Sequence, residues 1–172
     1  MRQLFKSFLP MLSVLTIFGA FVIGVYTSKN INPVVRTEII YDGMDPYTEA
    51  KAKEYLKQLK VKHVTVALAQ LRLESGSATS KIFKENNNLF GMKSAEKRPT
   101  TSLGTKNNHA YYSHWRQSII DYALWQAYVM NVDNMSDEDS WIDYINRSYS
   151  EIPGEYKRRL LAIKTNIENN KL

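Results

Sequence analysis

The pattern of apolar and polar positions predicts a mainly helical body in the second part of the chain. Apolar residues recur at helical spacing from Asp45 to about Lys62, with Asp45 as N-cap and Pro46 in the first helical position. The segment VTVALAQLRLES at 64–75 is apolar on nearly every side, which is typical of a central buried helix. Its β-branched start leaves a strand as the alternative, but the Ala-Leu-Ala-Gln-Leu run favours the helix.

The pattern changes in the segment 86–112, where Asn, Gly, Pro and Thr dominate. Two short extended segments, 99–103 and 109–112, flank a turn at 104–108, and this arrangement predicts a small β-hairpin lobe. Helical patterns then return three times, beginning at Ser113, at Ser136 with an approximate capping box, and at Pro153. The expected fold class is therefore α+β, with a helical body and one small β lobe.

A different pattern opens the chain. Arg2 and Lys6 precede an uncharged run at 8–26, and its length is close to the ~20 residues that cross a bilayer as a helix. Because the positive residues lie on its N-terminal side, the body is expected outside the cytoplasm. We expect residues 1–26 to be a signal anchor or transmembrane segment in the inner membrane, with a cleaved secretion signal as the alternative, and 27–44 to be a linker.

Composition narrows the chemistry of the chain. The 172 residues include no cysteine, which excludes a disulfide framework, a thiolate metal site and a cysteine nucleophile. The formal net charge of +6 suits a polyanionic partner such as a cell-wall polymer, or an ordinary solvated surface. His63, His109 and His114 lack metal-ligand spacing, so neither a metal nor another cofactor is expected. No motif supports nucleic-acid binding, and none predicts an oligomeric state.

The end of the predicted central helix carries a carboxylate, Glu74, followed at once by Ser75 and Gly76. Apolar surroundings and the negative end of the helix dipole both raise the pKa of such a carboxyl, as a general acid requires near neutral pH. Gly76 lets the chain leave the helix sharply, so that Glu74 stands at the lip of a cleft. A glutamate that faces solvent or pairs with Arg72 or Lys81 is the alternative.

The order of ALAQLRLESG and NNNLFGMK resembles the peptidoglycan-cleaving N-acetylglucosaminidases of glycoside hydrolase family seventy-three. Two later segments, AYYSHWRQSIIDYALWQ and SYSEIPGEYKRRL, extend the similarity over roughly residues 45–168. The residues that match the family's motifs are Ala67, Ala69, Gln70, Glu74, Ser75, Gly76, Asn87, Asn88, Leu89, Phe90, Gly91, Lys93, Tyr112, Ser118, Ile119, Asp121, Tyr149 and Tyr156.

This resemblance implies a lysozyme-like fold for a glucosaminidase-like domain at 45–172, with a cleft between the helical body and the β lobe. It implies an endo-β-N-acetylglucosaminidase that hydrolyses the β-1,4 bond after N-acetylglucosamine in peptidoglycan glycan strands, with Glu74 as general acid. Substrate binding is then expected from Gln70, Ser75, Asn87, Asn88, Phe90, Tyr112 and Tyr156.

The sequence departs from the family where members often carry a second carboxylate on the β lobe. Glu96 is the only acidic residue within 91–119, and the equivalent strand carries Thr100 and Thr101. Glu96 is therefore the candidate second carboxylate. The alternative is substrate-assisted catalysis, in which the 2-acetamido oxygen attacks the anomeric carbon and Tyr149 steadies that group.

Two other functions remain open. A lytic transglycosylase also uses a Glu-Ser pair at a helix end, although its next motif differs from NLFGMK. A non-catalytic wall-binding protein would keep the same fold without the activity. Aromatic residues recur at helical spacing in the later body, which favours a place in the core over a sugar platform; these are Trp115, Tyr122, Trp125 and Tyr128.

Overall fold

The computed structural model describes residues 45–133, 137–150 and 152–170. Over these ranges the chain forms helices and one two-stranded antiparallel sheet, in the order α1 (Glu49–Gln58), α2 (Val64–Ser75), α3 (Lys81–Asn86), β1 (Gly104–Lys106), β2 (His109–Tyr111), α4 (Trp115–Asp133), α5 (Glu138–Tyr149) and α6 (Pro153–Asn169). The predicted helical body with a small β hairpin is confirmed. The predicted membrane segment and linker lie outside the described residues, and within them no helix is both long and apolar enough to cross a bilayer.

Helix α2 is the central element of the body. All its residues from Val66 to Leu71 are buried, so it has no polar face to turn towards solvent. It packs mainly against α6 and also against α1. Each fully buried Val or Leu contributes about 1.5–3 kcal/mol relative to an exposed one. The prediction of a helix rather than a strand is confirmed, and this packing fixes where the last turn of α2 stands.

The start of the body differs from the sequence prediction. The N-cap of α1 is Thr48, whose hydroxyl accepts the Lys51 backbone N–H at 3.2 Å, and not Asp45. The Asp45 carboxylate instead binds Lys51 Nζ at 2.8 Å and Arg116 Nε at 2.6 Å. The two cationic partners each bind one oxygen of this carboxylate, and the Arg116 contact ties the beginning of the domain to α4. Helix α1 also ends at Gln58, earlier than predicted.

The first strand of the hairpin lies later in the chain than predicted, because β1 occupies Gly104–Lys106, where the sequence predicted a turn. The two strands are joined by Asn107 and Asn108, both in the left-handed region at φ 52° and 58°, as in two-residue type I′ turns. The predicted segment at 109–112 is confirmed as a strand, whereas the predicted strand at 99–103 is wrong. Side-chain bonds hold that segment against α4 instead: Thr101 is buried, and its hydroxyl donates to the Gln117 carbonyl.

The last two helices bring their ends to the same region of the molecule. Asp137, and not Ser136, caps α5, because its carboxylate accepts the Ser140 N–H at 2.8 Å. Helix α6 begins at Pro153 as predicted, whereas α4 begins at Trp115 rather than Ser113. Helices α5 and α6 pack together, and α6 runs along α2. The end of α5 and the first turns of α6 therefore face the C-terminal end of α2.

Candidate active site

The C-terminal end of α2 opens onto a cleft of about 590 Å³ between the helices and the hairpin lobe. Glu74, in the last turn of α2, is half-buried and lines this cleft. The other walls come from residues 91–95 and Arg98 of the loop before the hairpin, from His109 on β2, from Trp125 on α4, and from Ser148 and Tyr149 at the end of α5. Among the described residues that line the cleft, Glu74 is the only acidic one.

The two residues after Glu74 complete the helix end. Gly76 is the C-cap in the left-handed region at φ 56°, so the chain leaves α2 sharply, as predicted. Ser75 is fully buried. Its hydroxyl donates to the Leu71 carbonyl at 2.7 Å and accepts the Ala78 N–H at 2.9 Å. Ser75 thus stabilises the turn that presents Glu74, and it offers no exposed surface to a substrate.

The Glu74 carboxyl group is held by one strong hydrogen bond. Tyr156, in the second turn of α6, donates its hydroxyl to Glu74 Oε1 at 2.6 Å. Burial raises the pKa of Glu74, while the Tyr156 hydrogen bond and the positive charge of Arg159 lower it. Burial is the largest of these influences, so the pKa lies above its usual range. The structure thus brings Tyr156, predicted to bind substrate, into direct contact with Glu74.

Tyr149, the last residue of α5, lines the same cleft as Glu74. Its ring packs edge-on against Trp125 at 5.7 Å and stacks on Tyr156 at 6.3 Å. Burial raises the pKa of Tyr149, and the nearby acidic groups raise it further, so its hydroxyl stays protonated. Among the described residues this hydroxyl makes no hydrogen bond. A protonated donor that has no hydrogen-bond partner in the described ranges is therefore available at the cleft wall.

Two predicted binding residues lie beneath the cleft rather than in it. Phe90 is fully buried and stacks on Tyr122, with ring centroids 4.1 Å apart. Gln70 is also fully buried, and its Oε1 accepts the Tyr122 hydroxyl at 3.1 Å. These side chains have no surface for direct contact with a substrate. Phe90 and Gln70 instead pack beneath the cleft and support its floor.

The asparagines of the NNNLFGMK motif organise the hairpin lobe. The buried Asn88 side chain accepts the N–H groups of Phe90 and Met92, and it donates to the carbonyls of Met92 and Ala110. Asn87 caps α3 in the left-handed region at φ 53° and donates to the Tyr112 carbonyl at 3.0 Å. Both side chains hydrogen-bond backbone groups of the lobe, so Asn87 and Asn88 have a structural role there.

A buried ion pair forms part of the cleft wall, and the sequence reading missed it. Arg98 Nη1 binds Asp121 Oδ1 at 2.6 Å, and the hydroxyl of Tyr112 donates to Asp121 Oδ2 at 2.7 Å. Asp121 is fully buried, and the Arg98 side chain is only 9% exposed. Tyr112, predicted to bind substrate, is thus engaged by Asp121. An aspartate on a buried helix face was the signal, because such a charge requires a cationic partner.

The second carboxylate candidate lies apart from this centre. Glu96 is exposed, lies on a bend rather than a strand, and does not line the cleft. Thr100 and Thr101, at the strand position where family members often carry the carboxylate, are each 1% exposed. Trp125 was expected in the core from its helical spacing, yet it is half-buried and lines the cleft. No group of three or more potential metal ligands occurs within the described ranges.

Comparison with known proteins assigns the domain. A family model described as mannosyl-glycoprotein endo-beta-N-acetylglucosaminidase matches residues 49–169. The chain belongs to the glucosaminidase family. It is therefore a glycoside hydrolase, as predicted, and the match covers all the helices and strands described above.

Other comparisons add less. No curated protein matches the chain. Among solved structures, a C-terminally truncated glycoside hydrolase domain from Salmonella typhimurium FlgJ is similar, with 22% identity over 70% of this chain and 93% of that chain. Its TM-score of 0.45 is a weak overall likeness, so the family assignment rests on the sequence match.

The Tyr156–Glu74 bond gives a pH-dependent prediction. Tyr156→Phe removes a hydrogen bond that lowers the pKa of Glu74, so that pKa should rise. A general acid works in its protonated form and is lost as the pH rises through its pKa. With Glu74 as the general acid that the sequence predicts, the descending limb of the pH–activity profile should therefore move to higher pH. Tyr128→Phe, at an exposed tyrosine, is the control; a limb that stays in place or moves to lower pH contradicts the assignment.

Proposed function

We propose that this glucosaminidase domain is a peptidoglycan hydrolase that cleaves the β-1,4 bond after N-acetylglucosamine, with Glu74 as general acid. The observation that carries the proposal is the Glu74 carboxyl group, half-buried at the end of a buried helix and facing the cleft. Burial keeps its proton bound at a higher pH than an exposed glutamate would allow. Peptidoglycan as the substrate comes from the sequence resemblance, and N-acetylglucosamine specificity from the family.

The absence of a second acidic residue along the described cleft lining favours substrate-assisted catalysis. In the first step Glu74 gives its proton to the glycosidic oxygen, the bond from that oxygen to the anomeric carbon breaks, and the 2-acetamido oxygen bonds to that carbon. In the second step water attacks the anomeric carbon, the acetamido group is released, and the water's proton returns to Glu74. The Tyr149 hydroxyl, which lines the cleft and has no partner within the part of the chain that the structure describes, is suited to hydrogen-bond the acetamido group.

The proposed setting is the cell envelope, with the domain outside the cytoplasm and residues 8–26 in the inner membrane. The uncharged run after Arg2 and Lys6 supports this proposal. Cell fractionation should find the full-length chain with the membranes, and protease added outside the cytoplasm should digest the body. A soluble mature protein that begins after residue 24 would instead establish a cleaved signal.

Replacement of the general acid tests the proposal. Glu74→Gln keeps the shape of the side chain but has no acidic proton, so peptidoglycan hydrolysis should fall by about 10²–10⁴-fold. The melting temperature should change little, because Gln can still accept the Tyr156 hydrogen bond. Full activity in a correctly folded Glu74→Gln would contradict the assignment of Glu74 as general acid.

The same digestion identifies the bond that is cut. Mass spectrometry of wild-type products should find N-acetylglucosamine at the new reducing end. Reducing-end N-acetylmuramic acid would point to a muramidase, 1,6-anhydro-muramic acid to a lytic transglycosylase, and no product to a wall-binding protein. Only the first result agrees with the proposal.

A comparison of two variants separates substrate assistance from a two-carboxylate mechanism. Tyr149→Phe should lose at least about tenfold in rate, because the donor at the cleft wall disappears. Glu96→Ala should lose less, because Glu96 is exposed and does not line the cleft. Parallel rates on purified peptidoglycan decide the order. An inactive Glu96→Ala beside a fully active Tyr149→Phe would reverse it and restore Glu96 as nucleophile or base.

A further inference from the structure

We infer that Gly91 is a positioning residue that keeps Oε2 of Glu74 open to the cleft, so that this oxygen delivers the proton. The inference rests on the proposed function, because it takes Glu74 as the general acid. It adds two points to that function. It distinguishes the two oxygens of the carboxyl group, and it gives a catalytic reason for the glycine in NLFGMK.

The first observation concerns Oε1. The Tyr156 hydroxyl donates its proton to this oxygen at 2.6 Å. Burial and the neighbouring carboxyl both keep the phenol protonated, so Tyr156 acts as a donor and Oε1 as an acceptor. A protonated carboxyl group carries one proton, on one of its two oxygens. With Oε1 used as an acceptor, the transferable proton is on Oε2.

The second observation concerns the space beside Oε2. A Cβ atom on Gly91 would lie 3.2 Å from Glu74 Oε2, 3.9 Å from Glu74 Cβ and 4.0 Å from its carboxyl carbon. The first distance is tighter than an ordinary contact, so either the carboxyl group or the loop would have to shift. Both residues line the cleft. The missing side chain therefore leaves the backbone of Gly91 close to Oε2 without covering it.

These observations imply a path for the substrate. A glycosidic oxygen must come within about 2.6–3.2 Å of the oxygen that protonates it. Since Tyr156 occupies the Oε1 side, the leaving sugar has to approach Oε2 and pass over the Gly91 backbone. A methyl group at position 91 would push against Oε2 and stand in this path. The loss should therefore appear in the chemical step more than in substrate binding.

Gly104, in the hairpin strand β1, provides the control. Gly91 and Gly104 both have positive φ angles, +62° and +145°, so alanine is strained at each. A Cβ on Gly104 would lie 3.2 Å from Cε1 of the Tyr111 ring, and a Cβ on Gly91 would lie 3.2 Å from a Glu74 oxygen. The two alanine variants thus share a strained backbone and a tight contact, and only Gly91→Ala presses on the carboxyl group.

The experiment compares kcat, KM and melting temperature for Gly91→Ala and Gly104→Ala on purified peptidoglycan. Both should lower the melting temperature. Gly91→Ala should lose about 10²-fold in kcat, the size of effect expected from a misplaced catalytic group, with KM changed by less than about threefold. Gly104→Ala should keep the wild-type kcat. Equal kcat values for the two variants would overturn the inference.

Two further variants keep the test decisive. If Gly91→Ala fails to fold, Gly91→Asn replaces it, because Asn adopts the left-handed region more readily than Ala; the same loss of kcat relative to Gly104→Ala is expected, and its absence overturns the inference. Glu74→Gln is measured alongside. An active Glu74→Gln overturns the proposed function itself, whereas an inactive Glu74→Gln beside an unimpaired Gly91→Ala or Gly91→Asn overturns only the role of Gly91.

Discussion

The hydrogen bond between Tyr156 and Glu74 joins the packing of the domain to its chemistry. A carboxyl group withdrawn from water is stable only if it keeps its proton or finds a donor. Helix α2 withdraws Glu74 from water because neighbouring helices cover it, and α6, its main neighbour, supplies Tyr156. The packing that raises the pKa of Glu74 also brings the donor that moderates the rise. Stability and acidity are therefore set by the same contact between α2 and α6.

The opposite wall of the cleft is fixed by polar side chains inside the lobe. The Asn88 side chain makes hydrogen bonds to four backbone groups around the loop that contains Gly91, and these bonds hold the loop in position beside Glu74. Farther along, the Arg98–Asp121 ion pair ties the chain to α4. Removing one partner of such a buried pair typically costs about 3–5 kcal/mol, because the other charge is left uncompensated. A small lobe with only two short strands thus gains a defined position relative to the acid.

Features encoded by local pattern were predictable from the sequence. The central helix follows from a segment that is apolar all round, and the position of Glu74 follows from the Glu-Ser-Gly end of that segment. Pro153 marks the start of α6 through its own backbone preference. Family membership was also visible, because the matching motifs are short and specific.

Features set by distant partners were not predictable in this way. Asp45 has good N-cap chemistry, but Arg116, 71 residues away in sequence, binds its carboxylate. Asn88 was expected to bind substrate, because the sequence does not show that the Met92 and Ala110 carbonyls lie close enough to accept its side-chain hydrogen bonds. Trp125 has the spacing of a core residue, and only the packing of α4 against the end of α5 leaves its ring at the cleft. In each case the local sequence pattern is real, but a contact with residues distant in sequence determines where the side chain lies.

The central claim is that the fold raises the pKa of Glu74 enough to make it a proton donor. The most direct test is an NMR titration of the Glu74 carboxyl carbon in the folded protein, with Glu74→Gln used to assign the signal. We expect a midpoint above the ordinary glutamate value of about 4.3. A midpoint at or below that value, with the fold intact, would contradict the claim.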